Sequence, residues 1–273
     1  MRKIATSLLL LLITVVFASA QNREEKKFSS FSRISFRTGG KLYLRQGSPQ
    51  KVEFVGDRED IEDLDPRVEN DRLIIGKDGW NSWSWGFSND DHKVDVYVTV
   101  PEIDGLSVSG SGELIAENRI TSRALDLNVS GSGVLTAEVD ASGELDADVS
   151  GSGRIEVRGK CRDVQSKVSG SGRVKLDVTV AERAEFGVSG SGKIQASGSA
   201  KEVKVGVSGS GEILGANLVV DVCEVRISGS GDVEINVNKE LDANISGSGT
   251  VTYKGNPAHV NSHSSGSGKV RKM

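Results

Sequence analysis

The chain has 273 residues, a formal net charge of −4, 33 glycines, four prolines and only 5% aromatic residues. Glycine near 12% without a three-residue period excludes a collagen-like rod. An apolar content of 36% with so small a charge excludes a disordered chain, and the mild acidity points away from nucleic acid.

Residues 1–20 read as an export signal. Arg2 and Lys3 form a positive start, Leu8 to Phe17 an apolar core, and Ala18-Ser19-Ala20 a small-residue cleavage site. The apolar run is shorter than the roughly twenty residues that span a bilayer as a helix. No cysteine sits near the cleavage site, so a lipid anchor is not expected, and the mature chain should begin at Gln21. No transmembrane segment is expected in it. The destination is the periplasm, the cell surface or the extracellular space.

Residues 28–105 form an N-terminal β region. Strand-like alternation recurs at Ile34–Phe36, Lys41–Leu44, Val52–Val55, Leu73–Ile75 and Val94–Val100. The segment from Phe36 to Leu44 echoes the later repeats, so it is either a degenerate early coil or a cap closing the end of a rod. All three tryptophans, Trp80, Trp83 and Trp85, fall between two strand-like stretches. Clustered there, they either stack on sugar rings or a protein partner, or fold back to seal the rod.

From 106 to 270 one motif dominates. Ser-Gly-Ser-Gly begins at Ser109, Ser130, Ser150, Ser169, Ser189, Ser208, Ser228, Ser246 and Ser265, at steps of 18–21 residues. An apolar residue precedes eight of the nine, as at Val129 and Ile227, and another follows two residues after each, as at Leu135 and Ile213. The upstream alternation, as in Leu125, Leu127 and Val129, means strand. A unit this short buries its apolar face only by stacking on its neighbours. The fold expected is therefore all-β, a parallel β-solenoid or β-helix of about nine coils of ~20 residues. A propeller would need blades of about 40–45 residues, and nothing pairs the repeats. Continued alternation would point both motif glycines inward, with the serines forming outward ladders that bond laterally or to water.

Chemistry is sparse. Gly187 to Lys193 imitates part of a phosphate-binding loop, but Ile194 stands where a hydroxyl is needed and the segment is one more repeat. His259 and His263 would lie about 13 Å apart on a strand, so no metal site is expected. Cys161 and Cys223 fall three coils apart, beyond disulfide reach, and Cys223 takes an inward position. Arg154, Arg173 and Lys193 hold the slot after three successive motifs and would stack as a basic stripe. Such a stripe meets anionic glycans or is simply a solvated face. Polysaccharide lyases also use β-helices, but coils this uniform leave little loop for an active site.

The export signal, the block ending at Val100-Pro101 and the repeated Val-Ser-Gly-Ser-Gly units resemble the putative auto-transporter adhesin, head GIN domain family. The resemblance covers about residues 28–268 and implies an exported, β-helical, adhesin-like protein; it offers no catalytic residues to carry over, and no cofactor is expected. Glycans or envelope proteins are the partners expected. The sequence ends at Met273 with no room for a membrane barrel after the last repeat, which sets it apart from a complete auto-transporter. Its candidate contacts are Trp80, Trp83, Trp85, Arg154, Arg173 and Lys193. A carbohydrate-binding module built on the Trp80–Phe87 loop is the first alternative, and a polysaccharide-active enzyme the second.

Overall fold

The computed structural model describes residues 22–77 and 94–273. It is nearly all strand and forms a parallel β-solenoid of about eight turns. The export signal, His92 and the segment holding Trp80, Trp83 and Trp85 lie outside the described residues.

The first strands are β1 (Asn22–Lys26), β2 (Arg33–Phe36), β3 (Lys41–Gln46) and β4 (Lys51–Gly56). They are followed by α1 (Arg58–Asp63), β5 (Arg67–Glu69), β6 (Arg72–Ile75) and β7 (Asp95–Val100). The coils begin with β8 (Gly105–Gly110), β9 (Glu113–Ala116), β10 (Ile120–Ser122), β11 (Leu125–Gly131) and β12 (Val134–Ala141). They continue with β13 (Glu144–Gly151), β14 (Arg154–Cys161), β15 (Asp163–Gly170), β16 (Arg173–Val180) and β17 (Arg183–Gly190). Longer strands follow: β18 (Lys193–Gly209), β19 (Glu212–Gly229) and β20 (Asp232–Gly247). The last coil ends with β21 (Thr250–Lys254), β22 (His259–Gly266) and β23 (Lys269–Lys272).

Each motif turns one strand into the next, and the motifs stack in register. Val129, Ser130 and Gly131 of β11 pair with Val149, Ser150 and Gly151 of β13, and the match continues through β15 and β17. The two glycines do different jobs. In all nine motifs the first has a positive φ, from +110° at Gly151 to +132° at Gly266, which an L side chain resists. It is a surface corner residue, so the inward position expected for it is wrong. The second glycine is buried against the coil before it. A Cβ on Gly133, Gly153, Gly172, Gly192, Gly211 or Gly231 would stand 2.3 to 2.5 Å from a valine Cγ1 one coil back. The alternation breaks at the first glycine because left-handed backbone reverses the side-chain direction that a strand would give.

The core is a single column of Val, Ile and Leu, with Phe36, Phe54 and Phe186 as its largest fully buried aromatics. Burying each such side chain contributes roughly 1.5–3 kcal/mol relative to exposure. Ser32, Ser35 and Ser166 are buried polar residues; Ser166 is fully so, and its hydroxyl donates to the Ala147 carbonyl at 2.7 Å. Register shifts at Gln195–Ser197 and Gly215–Val219 absorb the unequal lengths of the later coils.

At the N-terminal end the echo of the repeat is stacked as a further layer. Ile34 and Phe36 pair with Leu106 and Val108, and Leu42 pairs with Leu114. Strands β6 and β7 stack in parallel on β2 and β3, and antiparallel β4 and β1 then finish the sheet. Charged pairs line that edge, Lys51 lying 2.9 Å from Glu53. An edge of this kind discourages further strand addition. Among the described residues no helix is long and apolar enough to cross a membrane.

Candidate binding face

The strands that lead into the motifs make one continuous outer face. Their alternation turns every second side chain outward, and parallel stacking lines these up as rows with a spacing of about 4.8 Å. One row is the first serine of each motif, from Ser130 through Ser150, Ser169 and Ser189 onward. Two residues earlier comes a second row, Asn128, Asp148, Lys167, Gly187, Gly206, Arg226, Asn244 and His263. A third row carries Asp126, Asp146, Gln165, Glu185, Lys204 and Glu224.

The face changes character along the rod. Near its beginning Asp126, Asp146 and Asp148 crowd together. Burial, with Glu144, Asp126 and Asp148 adding repulsion, pushes the Asp146 carboxyl up to about 6, and Lys167 only partly opposes this. Its Oδ1 has no hydrogen-bond partner among the described residues. Burial also raises Asp148, although the Lys167 backbone N–H donates to its Oδ1 at 2.8 Å. These carboxyls are spread along strands, and no group of three or more His, Cys, Asp or Glu among the described residues is placed to hold a metal.

Further along, the face opens into a shallow groove of about 640 Å³ over Gly187 and Gly206. It runs along the rod from Lys167 past Arg226 to His263, and Ser169, Ser189, Ser208 and Ser228 form part of one rim. Among the described residues these four hydroxyls form no hydrogen bond within the protein. Of the two roles expected for the ladder, lateral bonding or bonding to water, these four serines do not make the lateral bonds. Hydroxyls in the same rotamer one strand spacing apart stand about 4.8 Å from each other, beyond hydrogen-bond reach.

The expected basic stripe lies on the other side of the motif corner. Arg154, Arg173 and Lys193 do stack in successive coils, in the order the repeat implies. Lys193 is then neutralised by Glu212 of the next coil at 2.6 Å. Ion pairs between neighbouring coils recur elsewhere, as in Lys201–Glu182 and Lys239–Asp221, both at 2.8 Å. His259 and His263 lie on the exposed strand β22. Cys161 and Cys223 are buried free thiols in different coils, and burial pushes both up to about 12. The glycine pair that makes the groove was missed in the sequence. Its signal was glycine at one outward position in two successive coils, hidden by the more abundant motif glycines.

The family described as "Putative auto-transporter adhesin, head GIN domain" matches residues 30–195 and, in a second match, 167–257. Solved structures share the fold. A putative adhesin from Parabacteroides merdae is 22% identical, with 94% of this chain and 97% of that one covered and a TM-score of 0.69. A putative lipid binding protein from Parabacteroides distasonis is 23% identical over 94% and 98%, with a TM-score of 0.67. A putative adhesin from the same organism is 22% identical over 93% and 97%, with a TM-score of 0.66. No curated protein matches the chain.

Proposed function

The chain belongs to the auto-transporter adhesin, head GIN domain family, and we propose that it is an exported, non-catalytic binding rod of the cell envelope. The single observation that supports this most is the uniformity of the coils. Nine motif corners separated by 18–21 residues hold the side chains in straight rows and throw out no long loop. Catalytic pockets are commonly assembled from such loops. Rows of fixed spacing suit repeated, shallow contacts with a polymer or another surface.

On this reading residues 1–20 are removed on export, residues 28–105 close one end, and 106–270 present the binding surface. The partners are glycans or envelope proteins, met in the periplasm or at the cell surface. Fractionation with protease treatment of intact cells tests it, and a protein found only in the cytoplasm would refute it. Turnover of any member of a polysaccharide panel by the purified chain would overturn the non-catalytic assignment.

A second reading keeps the rod as support and puts the contact at Trp80, Trp83 and Trp85. Its motivating observation is that these are the chain's only tryptophans, gathered within six residues. A glycan array comparing wild type with Trp83→Ala decides it, and unchanged binding removes the tryptophans from the site.

A further inference from the structure

We propose that the groove over Gly187 and Gly206 is a binding site for a linear anionic polysaccharide lying along the rod axis, across the strands. The inference rests on the reading of the chain as an exported binding rod and names the ligand class for one of its faces.

The glycines in the floor are not demanded by the backbone. Neither is among the positive-φ glycines. A Cβ on Gly206 would meet nothing within 4 Å, and one on Gly187 would meet only the Lys167 Cγ at 3.4 Å. Glycine inside a strand costs roughly 0.5–1 kcal/mol relative to alanine. The fold gains nothing in return here, whereas a ligand gains close approach to the backbone. The motif glycines differ on both counts, since they turn the chain or have no room for a side chain.

The chemistry around the floor selects the ligand. The groove is lined by Lys167, Arg226 and His263 as its ionisable groups, and no carboxylate lines it. Lys167 makes no ion pair among the described residues. Arg226, which also lines the groove, pairs with Glu224 of its own strand. Lys167 and Arg226 are three coils apart, about 14 Å along the axis. Between them lie a flat floor of peptide groups and CH₂ carbons, and a rim of unbonded hydroxyls repeating at about 4.8 Å. A pyranose chain has the complementary pattern: an apolar ring face, a polar edge, and acidic groups at intervals. An anionic bilayer fits less well, because none of the exposed large apolar residues, Val219, Val222, Val260 and Met273, lines the groove to anchor it.

The test measures binding of the mature protein to polygalacturonate and dextran sulfate, with neutral dextran and phosphatidylglycerol vesicles as comparators. Wild type is expected to bind at least one anionic polymer, more weakly as salt rises, and to ignore neutral dextran. Gly206→Leu is expected to weaken binding about tenfold or more without lowering the melting temperature, since the side chain enters open space. Lys167→Gln with Arg226→Gln should weaken it similarly and flatten the salt dependence. Binding of neither anionic polymer, binding of vesicles alone, or undiminished binding by both groove variants would each overturn the site. A protein that proves exported and surface-accessible yet ignores both polymers loses this inference alone. A cytoplasmic location refutes the rod reading itself.

Discussion

Gly153 lies so close to Val129 that a Cβ on the glycine would stand 2.5 Å from the valine's Cγ1. The contact joins the last residue of one motif to the residue before the motif one coil earlier. It repeats along the rod, so the spacing of the motif and the packing of the core are one constraint.

Gly153→Ala should therefore destabilise the protein by about 1–3 kcal/mol through overpacking. Gly206→Ala, at an outward site with open space, should instead be neutral or stabilise it by about 0.5–1 kcal/mol. Urea midpoints at unchanged slope read both effects. Equal losses at the two sites would show that glycine matters for some reason other than contact.

Phe186 sits in the inward row between Ser166 and Val205. The two residues before it in that row, Ser166 and then Ala147, are small. Phe186→Ala is expected to cost about 3–5 kcal/mol and to lower the melting temperature steeply. A loss below ~1 kcal/mol would mean that the column collapses around the gap.

Asp146 makes the stability depend on pH. Its folded-state value is raised to about 6, first by burial and then by Glu144, Asp126 and Asp148. The neutral form is favoured by folding, so its contribution is complete below the unfolded value near 3.9 and is lost as pH rises through about 6. Asp146→Asn, which stays neutral, should melt above wild type at pH ~7.5 and converge with it near pH ~4. An advantage of the same size at both pH values would remove the carboxyl as its cause.

Cys161 and Cys223 should be inert in the folded protein. Burial leaves them 4% and 1% exposed and pushes both thiols up to about 12, so little thiolate exists at neutral pH. Labelling by iodoacetamide at pH ~8 should be slow in buffer and fast in denaturant. Rapid labelling of the native protein would place at least one thiol at the surface.

The architecture was legible because its determinants are local and repeated. Alternation at Leu125, Leu127 and Val129 specifies a strand face, and recurrence near twenty residues specifies stacking. The order of Arg154, Arg173 and Lys193 along the rod followed from the same period. Other features depended on distances that no period contains. The pairing of Lys193 with Glu212 needed the reach of two side chains across adjacent coils. The surface position of the first motif glycine needed its dihedral angle, because strand alternation predicts nothing once φ turns positive.

The excess of glycine beside a lack of aromatics thus has two separate origins. The sequence by itself determined that most glycines belong to a periodic corner device and that Val, Ile and Leu fill a narrow column. Only the tertiary structure separated glycines that must turn, glycines that must yield room, and the pair at Gly187 and Gly206 that does neither. The physical reason is that composition counts missing side chains, whereas their consequence depends on what faces the space: a bent backbone, a valine one coil away, or open solvent.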